Sequence, residues 1–253
     1  MLEARDLSFS YGSFPVFSNL SFALSLGKTY GIIGVNGSGK TTLLRTLCGI
    51  ARPTSGSLLL DGTPYASFDR LSLAQKLSLM PQFSHLPPVT ARDLVERGRY
   101  PHLGVTRRMT PADHAAVERA LIQAGAIELA HRPLLELSGG ERQRVCLALL
   151  LAQDTPYVFL DEPTSHLDLS HRFGLLSQLR DLSRAGRCVV AVLHDLSHAL
   201  RWCDELLILH EGSLITVTPS EFARSSLPDR VFGVSCHPVI LPDGREEYVF
   251  LPK

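Results

Sequence analysis

Gly34-Val35-Asn36-Gly37-Ser38-Gly39-Lys40-Thr41, followed by Thr42, satisfies the spacing G-x-x-x-x-G-K-[ST]. Its three glycines let the backbone turn tightly, so that successive N–H groups can face an anion. A helix starting here would add its positive end to the same place. The pattern assigns Lys40 to the β- and γ-phosphates of a nucleotide and the Thr41 hydroxyl to Mg²⁺. Further along, Tyr157-Val158-Phe159-Leu160-Asp161-Glu162 is an apolar run that ends in two acids. Asp161, fixed at a strand end, suits a carboxylate beside magnesium, and Glu162 suits a group that orients and deprotonates an attacking water. An ordinary strand ending in two solvated acids has the same composition. The glycine-rich loop alone fits a small kinase or a GTPase as well as a transport ATPase.

Leu137-Ser138-Gly139-Gly140-Glu141 lies 20 residues before that acidic run. Ser138 can cap a helix beginning at Gly139. A plain cap explains the serine but not both glycines, which leave backbone amides uncovered. His194-Asp195-Leu196-Ser197-His198 sets two histidines four apart, the spacing of a helical metal pair. No glutamate follows the first histidine, however, and His194 falls at the end of an apolar strand, ahead of the helix. A zinc site is therefore not expected, and His198 reads as a surface helix residue.

The elements that must hold these groups follow from periodicity. Alternation in Leu7-Ser8-Phe9-Ser10 and Leu20-Ser21-Phe22-Ala23-Leu24-Ser25-Leu26 predicts half-buried antiparallel strands. Tyr30-Gly31-Ile32-Ile33-Gly34 is a short apolar strand feeding the loop, with a helix over 41–48. Strands are predicted at 57–62 and at 77–82, the second stopped by Pro81. Helical patterns dominate from about 83 to 155, over 91–98, 111–125 and 139–153; the second has proline in its first turn and glycine at its end. Strands return at 157–160, 188–193 and 206–209, with a helix over 169–184. Short strands are expected in the tail around 231–234 and 248–251. This pattern is an α/β core with a helical insertion.

A chain of 253 residues buries roughly 70–75% of its unfolded surface and needs no disulfide or metal to stabilise a core. Its 25 basic and 25 acidic residues balance, so no global field argues for nucleic acid or anionic lipid. Five widely spread cysteines without a C-x-x-C pair suit reduced thiols in buried apolar sites. The longest fully apolar run, 145–152, has 8 residues, far short of the ~20 that cross a bilayer. Met1-Leu2-Glu3-Ala4-Arg5-Asp6 lacks a basic segment followed by an apolar one, so no export signal is expected. Any membrane association must come through a partner.

In their order along the chain, the loop, the 137–141 segment and the 157–162 run resemble the ATPase subunit of an ABC transporter. The resemblance covers nearly the whole chain. It implies a phosphate-loop NTPase core with an N-terminal antiparallel β-subdomain and a helical insertion subdomain. That is one domain over 1–253, with the core at 1–82 and 156–253 and the helical part at 83–155. ATP and Mg²⁺ are the implied cofactors, and a head-to-tail homodimer is the implied assembly. Ser138, Gly139, Gly140 and Glu141 would then serve the γ-phosphate held by the other protomer; Glu141 stands where the family more commonly has glutamine. Gln82, after Met80-Pro81, matches the segment that senses the γ-phosphate and metal. Tyr11 matches the aromatic that stacks on adenine, and His194 the switch histidine that contacts the γ-phosphate. Pro163-Thr164-Ser165-His166-Leu167-Asp168 is similar to the family's D-loop, which would put Asp168 at the dimer interface; His166 departs from the common small residue there. Lys40 is expected to face solvent when no nucleotide is bound.

Finer features point among the importers. Arg97-Gly98-Arg99-Tyr100-Pro101-His102 resembles a segment of ATPases that drive uptake of iron–siderophore complexes, haem and cobalamin. By that resemblance Arg97, Arg99 and Tyr100 contact a multi-span membrane permease. The stretch 147–155, which lacks an arginine common in the wider family at position 149, looks like the same subgroup. So do Val190-Ala191-Val192-Leu193-His194-Asp195-Leu196, Arg201-Trp202-Cys203-Asp204 and Phe232-Gly233-Val234. The implied location is the cytoplasmic face of the inner membrane, held through the permease, with an extracytoplasmic binding protein delivering a ferric siderophore, or else haem or cobalamin. A soluble ABC ATPase working on DNA or the ribosome would usually bring a coiled-coil insertion or tandem domains. A kinase would have no use for the 137–140 segment.

Overall fold

The computed structural model describes residues 1–80, 87–104, 107–165 and 167–253. These form two compact units, one of residues 1–67 with 179–253 and one of residues 68–178. The chain runs β1 (Leu2–Tyr11), β2 (Phe14–Leu24), β3 (Thr29–Ile33), α1 (Lys40–Leu47), β4 (Ser55–Leu60), β5 (Thr63–Pro64), α2 (Arg70–Ala74) and β6 (Leu77–Met80). It continues through α3 (Ala91–Glu96), α4 (Pro111–Gln123), α5 (Gly139–Gln153), β7 (Tyr157–Asp161), α6 (Leu169–Arg184), β8 (Cys188–Val192), α7 (Leu196–Trp202), β9 (Glu205–His210) and β10 (Ser213–Val217). The tail holds α8 (Pro219–Arg224), α9 (Leu227–Phe232), β11 (Val234–Ile240) and β12 (Glu246–Pro252).

In the first unit, β1 pairs antiparallel with β2, Leu2 opposite Leu24 and Tyr11 opposite Phe14, and on its other side with β4. The alternation in the sequence becomes an inward row of Leu2, Ala4, Leu7 and Phe9 against Phe17, Leu20 and Leu24. A second set of strands has the order β10-β9-β3-β8. Here β3 lies parallel to β8 on one side and β9 on the other, and β10 returns antiparallel to β9. Every residue of β3 and β8 is buried, which is why both read as unbroken apolar runs and not as alternation.

The tail departs from expectation. Val231 and Phe232 end a helix, not a strand: Pro228 sits in the first turn of α9, and Gly233, at φ 67°, closes it in the left-handed region. The strands lie just beyond as the hairpin β11–β12, and the expected stretch 248–251 falls inside β12.

In the second unit β6 and β7 run parallel, with Leu77 opposite Tyr157. Around them pack the helices expected for the insertion; α5 and α6 have the bounds read from the sequence. Helix α4 begins at a capping box in which Thr110 and Asp113 satisfy each other's backbone N–H, with Pro111 in the first turn.

None of the five cysteines is in a disulfide, and Cys146, Cys188 and Cys203 are buried. Burial pushes the Cys146 and Cys188 thiols up to about 12, and the Cys203 thiol well up too, so these three are apolar packing groups and not nucleophiles.

Candidate functional site

The glycine-rich loop follows β3 without a break. Two of its glycines are tightly enclosed: at Gly34, φ 155°, a Cβ would meet the Leu209 carbonyl oxygen at 2.4 Å. At Gly39, φ 98°, a Cβ would lie 2.4 Å from Val16 Cγ1. No L side chain fits at either place, so strands β9 and β2 dictate the glycines directly. Helix α1 starts at Lys40 with no side-chain cap at its N-terminus, so its positive end is turned toward the loop. Ser38 Oγ is buried and meets no hydrogen-bond partner among the described residues, a deficit worth about 1–3 kcal/mol that a phosphate oxygen would remove. The loop therefore fits a phosphate chain. Val35, Asn36 and Gly37 form its exposed lip, and Ser38 and Gly39 are half-buried.

Lys40 does not face solvent. It is 6% exposed, and its Nζ donates to the carbonyls of Gly34 at 3.0 Å and Val35 at 2.9 Å. An ammonium packed against the loop satisfies itself there, where a solvent-facing one would need no protein acceptor. Tyr11, at the end of β1, is 56% exposed, packs edge-on against Phe9 at 4.9 Å, and shares a 3.3 Å hydrogen bond with Thr42 Oγ1. The first unit thus brings the tyrosine ring to the start of α1, beside the loop. His194 also belongs to this unit, exposed in the turn between β8 and the Asp195 cap of α7. His198, read as a surface residue, is buried on α7 with its Nδ1 3.4 Å from Asp195 Oδ2. One histidine in a turn and the other inside a helix do not form a helical pair.

In the second unit, β7 carries Asp161 to its last position, 5% exposed. Glu162 follows at φ 51°, left-handed for a non-glycine residue that precedes proline, a conformation its surroundings must hold. Ser165 supplies part of that hold: its N–H donates to the Glu162 carbonyl at 3.1 Å and its hydroxyl to Glu162 Oε2 at 3.1 Å. The Gln143 amide, from α5, donates to the Pro163 carbonyl. Ser165 and Gln143 were not singled out in the sequence. Nothing in the spacing of the residues pointed to either bond.

Helix α5 opens on a capping box. Ser138 N–H donates to Glu141 Oε2 at 2.8 Å, and Glu141 N–H returns to Ser138 Oγ at 3.4 Å. Arg132 adds an ion pair to Glu141 Oε1 at 2.7 Å. These contacts with Ser138 and then Arg132 hold the Glu141 carboxyl below its usual range. Glu141 is therefore a cap and a salt-bridge partner here, which accounts for an acid in place of glutamine. Among the described residues a Cβ at Gly140 would meet nothing within 4 Å, so their packing does not require glycine there. Asp168, just before α6, is exposed and accepts from the N–H and Nδ1 of His171 and the Ser170 hydroxyl, which hold its carboxyl at about 2. Gln82 and His166 lie outside the described residues.

The 97–102 segment is pinned to the end of α5. A Cβ at Gly98 would sit 2.6 Å from the Leu149 carbonyl oxygen. Arg99 bonds Ala152 O at 2.8 Å and Asp113 at 3.0 Å, and His102 Nε2 lies 2.8 Å from Gln153 O. Arg99, expected as a permease contact, points into the unit with its side chain 13% exposed. Its guanidinium is held by the Ala152 carbonyl and by Asp113, which leaves Arg97 and Tyr100 as the exposed members.

Residues 17–165 match the ABC transporter family. The chain is 37% identical over 258 residues to the achromobactin transport ATP-binding protein of Dickeya dadantii, covering 97% of this chain and 96% of the relative. It is 38% identical over 256 residues to the ferric enterobactin transport ATP-binding protein of Escherichia coli, covering 96% and 94%. Identity is also 38% over 256 residues to the hemin import ATP-binding protein of Bordetella avium, covering 97% and 96%. Among solved structures, an ABC transporter of proposed metal-chelate type in an inward-facing conformation has TM-score 0.87 at 28% identity, over 100% of this chain and 98% of that one. A bacterial ABC transporter cassette solved as a dimer has TM-score 0.77 at 25% identity, over 87% and 99%. With the phosphate loop, the capped glycine pair and the paired acids in family order, the chain belongs to the ABC transporter family and is an ATP-binding cassette that hydrolyses ATP for transport.

Proposed function

We propose that this cassette works as a head-to-tail homodimer beneath a membrane permease and drives import of a ferric siderophore. The observation that carries the dimer is the start of α5: its serine is already satisfied by a capping box, yet Gly140 stays bare where no described neighbour requires it. A phosphate presented by a second copy is the occupant that needs bare amides at a helix start. The solved dimeric cassette supports the same assembly.

In this reading the loop amides of 34–39, Ser38 and the first amides of α1 hold the phosphates of ATP, and Tyr11 supports the adenine. Lys40 transfers its hydrogen bonds from the Gly34 and Val35 carbonyls to the β- and γ-phosphates. Thr41, Gln82 and Asp161 supply oxygen donors of the kind magnesium takes. When bound, that ion neutralises charge on the transferring phosphate. Glu162 takes a proton from the attacking water as its oxygen bonds to the γ-phosphorus; the bond to the β–γ bridging oxygen breaks, leaving ADP and phosphate. His194 and the partner's 138–141 segment steady the γ-phosphate until it leaves. Closure on ATP and release after hydrolysis move the permease through Arg97 and Tyr100. An extracytoplasmic binding protein supplies the cargo on the far side, and the cassette stays peripheral at the cytoplasmic face; among the described residues no helix is long and apolar enough to cross a membrane.

Relatives named for achromobactin and ferric enterobactin favour a siderophore over the haem of the Bordetella relative. The test is uptake of labelled ferric siderophore, haem and cobalamin in cells lacking this chain, with and without its restoration. Siderophore uptake alone should fall and return. Loss confined to haem or cobalamin uptake would overturn the cargo assignment.

A further inference from the structure

The turn that carries Glu162 is bonded to the helix that begins with the glycine pair. Glu162 is left-handed and followed by proline, two conditions that jointly oppose its conformation. Its local support comes from Ser165, three residues on. Its long-range support is the bond from the Gln143 amide to the Pro163 carbonyl, the acceptor immediately past Glu162. Gln143 lies five residues after Ser138, on a 15-residue helix stiffened at its start by the Ser138–Glu141 box and the Arg132 ion pair. At its far end the same helix is fastened by Arg99 and His102. The Gln143 amide therefore links the glycine-bearing helix to the Pro163 carbonyl.

We infer that Gln143 is a positioning residue for hydrolysis: it fixes the carboxylate of Glu162 by holding the Pro163 carbonyl, and so ties the general base to the helix start that meets the partner's phosphate. This rests on the reading of Glu162 as the base. Gln143 acts through the Pro163 carbonyl and not on the reacting atoms. It sets where Glu162 stands, and a displacement of about 1 Å at a reacting group can cost on the order of 10²-fold in rate.

The test uses the full chain. Gln143→Leu keeps the bulk and removes the N–H donor; Gln143→Glu keeps the shape but offers only acceptors to a carbonyl; Gln143→Lys restores a donor. Turnover, affinity for a fluorescent ATP analogue and the thermal midpoint are measured on each, with Glu162→Gln alongside. The expected result is a fall in kcat of about 10- to 100-fold for Gln143→Leu and Gln143→Glu, with nucleotide affinity and midpoint within error of the parent, and recovery to within a few-fold in Gln143→Lys. If Gln143→Leu does not fold, Gln143→Glu decides. Two results overturn the positioning role: turnover within twofold of the parent in the donorless variants, or a fall in kcat matched by loss of affinity and midpoint and not rescued by lysine. Normal turnover in Glu162→Gln would instead overturn the reading of the base, which separates the two failures.

Discussion

Lys40 illustrates what single residues reveal and conceal. Its chemistry was legible, because no other residue type supplies a charge at that place in a G-x-x-x-x-G-K-[ST] loop. Its resting position was not, since only the folded loop turns the Gly34 and Val35 carbonyls toward the side chain. Lys40→Ala should therefore do two things. It removes a preorganised charge from the transferring phosphate, lowering kcat by at least about 10²–10³-fold. It also takes away the buried donor on which the Gly34 and Val35 carbonyls rely, lowering the stability of the nucleotide-free protein by about 1–3 kcal/mol. Urea titration without nucleotide, beside an ATPase assay, measures both. An unchanged urea midpoint would put the ammonium in solvent, and near-normal turnover would remove the loop from the active site. Glu162 carries the same lesson: adjacency to Asp161 marked its role, but its left-handed backbone and its bond from Ser165 depend on a turn no motif spells out.

Among the elements, α5 and α6 were legible to the residue, and β3 and β8 to within one residue at each end. Helix α5 has a capping serine, α6 a long amphipathic run, and β3 and β8 unbroken apolar stretches. The tail misled because Val231 and Phe232 have strand-forming side chains, while the proline and glycine that make α9 a helix act from its two ends. The 97–102 segment was expected to offer Arg99 to a permease, yet folding spends Arg99 and His102 on the carbonyls that end α5. Two expectations belong here. Gly98→Ala drives a Cβ against the Leu149 carbonyl and the Gln153 N–H, backbone atoms that cannot swing aside, and should cost about 1–3 kcal/mol by denaturant titration; a neutral result would mean the segment is not seated on α5. The second concerns Asp113, whose carboxyl is held at about 2 by the Thr110 hydroxyl and N–H and by Arg99. A depressed folded-state value gives stability that is present above the unfolded value near 3.8 and is lost as pH falls toward 2. Urea midpoints for the parent should decline over that window more steeply than those of Asp113→Asn. Parallel pH profiles would show that the carboxyl gains nothing from its partners.

For the whole molecule, the family was legible because three short motifs recur in a fixed order, whereas cargo was not, because cargo touches other proteins. Permease coupling lies between these. Arg97 and Tyr100 are exposed, Tyr100 at 59%, beside an Arg99 that is not. Alanine at both should reduce uptake by the assembled transporter several-fold while the isolated cassette keeps its hydrolysis rate; an equal loss in both assays would place them in the catalytic machinery.

The central claim is that two copies close on ATP and that Glu162 ends the closed state by hydrolysis. Glu162→Gln keeps size and hydrogen bonding but cannot accept the water's proton, a loss that costs about 10²–10⁴-fold in rate. Size-exclusion chromatography with light scattering, run in saturating ATP and in ADP, tests it most directly. The account predicts a persistent dimer in ATP that ADP does not support. A Glu162→Gln protein that stays monomeric in ATP and hydrolyses it like the parent would contradict both the role of Glu162 and the closed dimer.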